Sequence, residues 1–415
     1  MFEQLFVRPK ALAHQRSGPM IEERLAFLSH LSNLGTARWT LRVVARYLLD
    51  VADALRLAQR PGEKIAWAEI REQATRWVRR HRPPHPQPSA RPLFIRYATA
   101  WLRFLGRFQP RTPPTTPFDE WIRDFDDELR QTRGLNGKTV SNYCLYLRDF
   151  LRRIGVPPPA WPWVTLTAID EVVLGKFAEA GYARKTMYHY GEALRAFFRF
   201  AQTRGWCRSG LAEGILLPRV YPQEQIPRGP SWDVVQRLIE QTRGHRPNDI
   251  RDRAILMLLA VYGLRAGEVV RLRLDDIDWE NDLLIVTRPK SGRSQTFPLC
   301  RSVGMAILRY LRKVRPRSPH RPVFLFGRAP YAPLASAGVT ALVSRRFADL
   351  GMTPPHCGAH ALRHACATHL LEQGLTLKEI GDHLGHQHPE ATRIYTKVDL
   401  THLRRVADFD LRGLL

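Results

Sequence analysis

Four histidines and two cysteines crowd the seventeen residues from Pro355 to Leu371, PHCGAHALRHACATHLL, and two chemistries compete for them. One is metal binding. His360 and His364 stand one helical turn apart, as two zinc ligands would, and His356 with Cys357 could supply a third. Three features oppose it. No acidic residue lies between the two histidines to act as a general base, Cys357 and Cys366 are nine apart with no C-x-x-C, and Arg363 sets a fixed positive charge among the ligands. No metal is expected here. The other chemistry is anion binding. His360 and Arg363 are spaced i, i+3, which predicts both on one helix face, with Leu362, Ala365, Cys366 and Leu370 on the buried side. A guanidinium offers a two-pronged fork to phosphate oxygens, and an imidazole exchanges a proton near neutral pH.

Further chemistry-bearing residues stand on either side. Downstream, IGDHLGHQHPEATRIYTKVDL places Gly385 at a helix end, His386 directly after it, Pro389 at the first turn of a short helix and Tyr395 near that helix's end. Upstream lie YGLRAGEVVRLRLDDID (262–278) and TRPKSGRSQTFPL (287–299). The order H-x-L-R-H, then L-G-H, then a tyrosine nine residues after that last histidine resembles the tyrosine recombinase, or phage integrase, family. The segment around Arg265 is similar to the family's first arginine box, and 287–299 to its β-hairpin with a catalytic lysine, which falls on Lys290.

The resemblance runs over residues 116–415 and implies a set of roles. Tyr395 would attack a DNA phosphodiester to give a 3′-phosphotyrosyl link and a free 5′-hydroxyl. Arg265 and Arg363 would hold the nonbridging oxygens, Lys290 would protonate the departing 5′-oxygen, His360 would assist proton transfer at the tyrosine, and His386 would hydrogen-bond the scissile phosphate. Glu268 would orient Arg265. No cofactor is implied, because a tyrosyl ester conserves the bond energy and cations take the place of a metal ion. Lys290 is the one lysine between Lys185 and Lys313 in an arginine-rich chain, and an ammonium is a better proton donor than a guanidinium. The hairpin departs from the family in having Pro289 where glycine is common. The resemblance also implies a tetramer on synapsed double-stranded DNA, either of this chain alone or mixed with a partner recombinase, with the tail beyond Tyr395 as a candidate for docking on a neighbour. His364, His369, His383 and His388 are assigned to packing, capping or surface positions, Cys366 to the core, and Tyr262 to packing.

Several elements must position these groups. Apolar spacing predicts helices over 21–35, 36–57 and 93–108 in the front region, and over 359–373 and 376–384 near the C-terminus. The segment RAGEVVRLRL reads as helical, and the β-branched run 283–287 with turn chemistry at 289–292 predicts a hairpin. The fold class is therefore mainly helical with a small antiparallel sheet in the C-terminal domain. Pro-rich stretches divide the chain into an N-terminal helical addition (1–115), a helical DNA-binding domain (116–216), a linker (217–230) and a catalytic domain (231–415). Together these predict a multi-domain clamp on DNA. In the middle domain two helices open on Gly137-Lys138-Thr139 and Arg184-Lys185-Thr186. Each groups N–H donors, a hydroxyl and a cation as a phosphate seat would, although ordinary capping explains either start alone.

Composition agrees with a nucleic-acid partner. Across 415 residues, 64 Lys and Arg against 39 Asp and Glu leave a charge of +25, an excess that draws polyanions through counterion release. An arginine-rich genome is the bland explanation. Five scattered cysteines argue against a disulfide framework. No apolar run is long enough for a membrane span, and Met1-Phe2-Glu3-Gln4 does not begin a signal peptide, so a cytoplasmic, nucleoid-associated protein without a membrane partner is expected. The expected function is a site-specific recombinase of a mobile element. A DNA-binding regulator on the same fold and a type IB topoisomerase-like enzyme are the alternatives.

Overall fold

The computed structural model describes residues 1–80, 90–110, 116, 118–155, 164–221, 229–288, 292–328, 331–352, 358–386 and 388–395. The chain is mainly helical, with a three-stranded antiparallel sheet in its C-terminal part. It divides into two compact units, one formed by residues 111–224 and the other by 1–110 together with 225–415. No described helix is long and apolar enough to cross a membrane.

In the front region the Arg38–Ala54 helix repeats apolar residues at i, i+3 and i+4, and Leu41, Val44, Ala45, Leu48, Val51 and Ala52 are buried in consequence. They share a core with Ile70 of the Trp67–Arg80 helix and with Phe94 and Trp101 of the Ala90–Phe104 helix. The helix expected over 93–108 stops at Phe104, because the chain turns through Gly106 at φ 68° and Phe108–Gln109 then pairs in parallel with Ile65–Ala66. Arg24 is fully buried and donates to the Gln15 side chain and to the carbonyls of Gln15, Gly18 and Pro19, so it ties the first helices together.

Residues 118–217 hold a separate, aromatic core. Phe125, Phe150, Phe197 and Phe198 are fully buried between the Asp119–Asp127, Gly137–Ile154 and Arg184–Thr203 helices. The helices begin at Gly137 and Arg184, as the sequence predicts. The Leu166–Ala180 helix, capped by Thr165, completes this unit.

The C-terminal core is organised by the Pro247–Val261 helix, whose residues from Ala254 to Ala260 are all buried. Proline at its first turn supplies the preset φ that suits a helix start. The Arg301–Lys313 and Ala359–Glu372 helices pack on it. The predicted hairpin is present, with Leu283–Thr287 pairing antiparallel to Ser294–Pro298 and Leu284 and Val286 facing the core. The segment RAGEVVRLRL forms only a four-residue helix, Ala266–Val269. It ends there because Leu272 and Arg273 are drawn into extended contacts with residues 321–323.

Candidate active site

Arg363 rises from the middle of the Ala359–Glu372 helix and is 2% exposed. Its Nη1 donates to the carbonyl of Gly263 at 2.6 Å and its Nη2 to that of Leu384 at 2.8 Å. Those carbonyls belong to the turns leading into Arg265 and His386, so one buried guanidinium fixes the approach of two further predicted site residues. A guanidinium carries five N–H donors, and two carbonyls do not exhaust it. Glycine is needed at both turns. Gly263 lies at φ 58° and Gly385 at φ 66°, and a Cβ at the first would collide with Leu384 while one at the second would sit 2.6 Å from Arg288 Nε. Arg363 and His360 were expected on one face. Instead His360 is exposed and Arg363 turns inward, because its donors find the two backbone carbonyls there.

Glu268 is the one buried acid in this cluster of cations. Its Oε2 accepts the Arg265 backbone N–H at 2.8 Å, and its Oε1 accepts Arg265 Nη1 at 2.8 Å. Arg288 Nη1 donates to Oε2 at 2.7 Å from the opposite side, and Arg288 Nη2 reaches the side-chain oxygen of Gln295 at 2.6 Å. Burial works to raise the Glu268 carboxyl, but the Arg265 N–H and the Arg288 and Arg265 guanidinium groups outweigh it and hold it below the usual carboxylate range. One carboxylate therefore stands among Arg265, Arg288 and Arg363, and the excess positive charge suits a phosphate. The Arg265 side chain remains 41% exposed and able to meet one. Burial first, and then Arg265, pull the Arg363 guanidinium down to about 10, which still leaves it charged at neutral pH.

His386 follows the αL turn at Gly385 and contacts the buried Thr392 hydroxyl at 2.7 Å through Nδ1. Burial, then the field of Arg363, Arg265 and Arg288, pulls its imidazole down to about 4, so it is neutral at pH 7. Tyr395 lies just past the Glu390–Arg393 helix and is 2% exposed, its hydroxyl pushed up to about 12 by burial against the opposing pull of Arg363. His364 Nδ1 is 2.9 Å from the Tyr395 oxygen, and the His360 ring stands edge-on to His364 at 4.4 Å.

The structure thus brings Arg265, Glu268, His360, Arg363, His386 and Tyr395 into one region of one unit. Lys290, together with His356, Cys357 and the tail beyond Tyr395, lies outside the described residues. Lys138, Thr139, Arg184, Lys185 and Thr186 belong to the other unit. There the Gly137 start is capped by Asn136, which accepts the Thr139 N–H at 3.0 Å, whereas Ala183 brings no side-chain acceptor to the Arg184 start. Among the described residues no three His, Cys, Asp or Glu gather as a metal site would.

Sequence reasoning missed two residues of the site. Arg288 reads as one more charge before a turn. His364 was assigned to packing, although its i+4 spacing from His360 was the available signal. Of the residues set aside, Tyr262 takes the expected packed place, with its hydroxyl donating to the Pro298 carbonyl and accepting the Cys300 N–H at the foot of the hairpin. His369 stacks on Trp232 at 3.9 Å, and Cys366 is buried.

Comparison with known proteins places this geometry in context. Residues 231–402 match the model of the phage integrase family, and residues 122–205 match that of the phage integrase N-terminal SAM-like domain. The candidate integrase/recombinase y4rA of Sinorhizobium fredii is 36% identical over 70% of this chain and 70% of its own. The tyrosine recombinase XerC of Alcanivorax borkumensis is 31% identical over 69% of this chain and 92% of its own. Among solved structures, the XerH site-specific recombinase bound to palindromic difH substrate shares the fold with a TM-score of 0.56 at 19% identity, over 69% of this chain and 84% of that one. A lambda integrase dimer bound to a COC′ core site does so with a TM-score of 0.52 at 20% identity, over 66% and 94%. On the relatives' identity and coverage, the chain belongs to the phage integrase family, the tyrosine recombinases, and is an enzyme that cuts and rejoins DNA strands in site-specific recombination.

Proposed function

We propose that the chain recombines the ends of a mobile element through a 3′-phosphotyrosyl intermediate formed on Tyr395. The Tyr395 oxygen attacks the scissile phosphorus, the bond to the 5′-oxygen breaks, and that oxygen leaves with a proton from Lys290. Arg265 and Arg363 bind the nonbridging oxygens and offset the charge that builds up in the transition state. His386, being neutral, adds a hydrogen bond to the phosphate without needing a proton from solution. His360 assists proton transfer at the tyrosine side of the site. Resolution of the phosphotyrosyl ester by the partner strand's 5′-hydroxyl restores a phosphodiester without ATP, because the bond energy is retained.

The observation that carries this reading is the field shared by five of these groups. Arg363 feels both Arg265 and Tyr395, and His386 feels Arg363, Arg265 and His360. A phosphate placed among them would meet fixed positive charge at low dielectric, where such interactions are strong. The 111–224 unit contributes phosphate contacts to double-stranded DNA through Lys138, Thr139, Arg184, Lys185 and Thr186. The working assembly is a tetramer on synapsed DNA, of this chain alone or with a partner recombinase, acting on the nucleoid in the cytoplasm.

A nicked suicide substrate containing the element's own end tests the reading. A covalent protein–DNA adduct is expected that forms fully in EDTA and is absent with Tyr395→Phe. An adduct that survives that substitution would overturn the choice of nucleophile.

A further inference from the structure

A tyrosine that attacks phosphorus must lose its proton, and in this fold the hydroxyl has little access to water. Tyr395 is 2% exposed, and burial holds its hydroxyl well above the ordinary tyrosine range. A free tyrosine, at about 10, is already mostly protonated at neutral pH. The proton therefore needs an acceptor inside the protein, within hydrogen-bond reach of the oxygen.

We infer that His364 is a catalytic residue: its Nδ1, 2.9 Å from the Tyr395 oxygen, accepts the tyrosyl proton as that oxygen attacks the phosphorus. The inference rests on the phosphotyrosyl reading and names the base that this reading needs. In the step, the O–H bond of Tyr395 breaks and an N–H bond forms at His364. The oxygen's electron pair makes the P–O bond, and the 5′-oxygen departs with the proton from Lys290. One proton is taken up and one is given, so the site keeps its charge.

The surroundings favour this role. His364 follows Arg363 directly on one helix, so the base is held in register with the cation that binds the phosphate. The chain at Gly229 passes so near that a Cβ there would be 3.2 Å from the His364 Cβ, which fixes the backbone of that turn from the outside. His386 is engaged through Nδ1 with Thr392. His360, its ring 4.4 Å from that of His364 at 77°, adjoins the acceptor. The charged and titratable groups whose field reaches Tyr395 are Arg363 and Cys366 of the His364 helix, with His360 one turn before His364; Arg363 itself stands in the field of Arg265, Glu268 and Arg288. The Arg363 guanidinium favours a tyrosinate, so it eases the loss of the proton.

Single-turnover cleavage of saturating suicide substrate, followed from pH 6 to pH 10, tests the inference. His364→Gln keeps a polar side chain but cannot accept a proton. Its cleavage rate should fall by about 10²-fold or more at pH 7, the range for removal of a general base, with DNA affinity unchanged. The deficit should shrink about tenfold per pH unit as solvent takes over deprotonation. A fluorinated tyrosine of lower pKa at position 395 should restore much of the lost rate. A 5′-bridging phosphorothiolate, whose sulfur leaves without a proton, should not.

A merely structural role predicts a loss that is constant across pH and indifferent to the fluorinated tyrosine, and that result would overturn the inference. Unchanged or faster cleavage by His364→Gln would overturn it too. His364→Asn, equally unable to take the proton, gives the same reading should the glutamine variant not fold. Tyr395→Phe is run in parallel. If it still forms an adduct, the nucleophile is wrong, whereas an inactive Tyr395→Phe beside a fully active His364→Gln removes the base alone.

Discussion

Arg363 and Lys185 are both assigned to a DNA phosphate, and the two regions that hold them could hardly differ more. Arg363 is almost fully buried, its fork fixed by two backbone carbonyls and its field balanced by Glu268. Lys185 is exposed in the first turn of a helix in the other unit. A buried, hydrogen-bonded cation has lost its water already and needs little reorganisation when a phosphate arrives. An exposed cation adds attraction that salt screens and that neighbouring side chains can replace. On the proposed reading, the first region would serve rate and the second affinity.

Removing Arg363 should give the largest effect. With Arg363→Ala, cleavage of saturating DNA should fall by about 10³-fold, the upper range for loss of one preorganised transition-state donor. Arg363→Lys should recover little, because an ammonium is a point charge that cannot hold the Gly263 and Leu384 carbonyls and the phosphate in one plane. The measurement is single-turnover adduct formation beside DNA affinity and a thermal melt. A folded Arg363→Ala chain that lost affinity but kept its rate would erase the distinction between the two regions.

Glu268 tests the same region through stability. Its carboxyl binds protons less readily folded than unfolded, so its contribution is fully present above the unfolded value of about 4.3 and is lost as pH falls through the depressed folded value. Glu268→Gln should cost roughly 3 kcal/mol at pH 7, because Arg288 is left buried without its carboxylate. The gap to the wild type should narrow as pH is lowered below about 4. Urea melts at several pH values check this, and a gap that does not change with pH would show that Glu268 acts by packing alone.

The contrast also explains what could be read in the sequence. Local devices were legible: the hairpin from its β-branched run, the helix end at Gly385, and both helix starts of the middle domain, since each depends on neighbours a few residues away. The Ile65–Ala66 and Phe108–Gln109 pair was not, because two-residue strands far apart in sequence leave no period to detect. The candidate site divides in the same way. Arg265, Glu268, Arg363, His386 and Tyr395 carry spacings that resemble a family. Arg288 gains its meaning only when the strand register brings it beside Gln295 and the bare Cα of Gly385 makes room for its guanidinium. The i, i+4 spacing of His360 and His364 says that they share a face, but not which of them meets a tyrosine thirty-one residues downstream. That is decided by how the last helices dock.

The smallest expected effect separates the two helix starts of the middle unit from each other. At the Gly137 start Asn136 already accepts the Thr139 N–H and the Thr139 hydroxyl, so local capping occupies part of the phosphate seat. At the Arg184 start the preceding residue is Ala183, whose methyl side chain offers no acceptor to compete with an anion. Lys185→Ala and Arg184→Ala should therefore each weaken DNA binding a few-fold and flatten the slope of log K against log salt by about 0.9, the value for one lost phosphate contact. Lys138→Ala should change that slope less. None of the three should alter the cleavage rate once DNA is saturating, because exposed charge contributes to the encounter and not to the transition state. Anisotropy titrations at several salt concentrations measure the slopes. A rate defect at saturation in Lys185→Ala would mean that the surface region positions the scissile phosphate as well as attracting it, and the division between a rate-building and an affinity-building region would have to be redrawn at that residue.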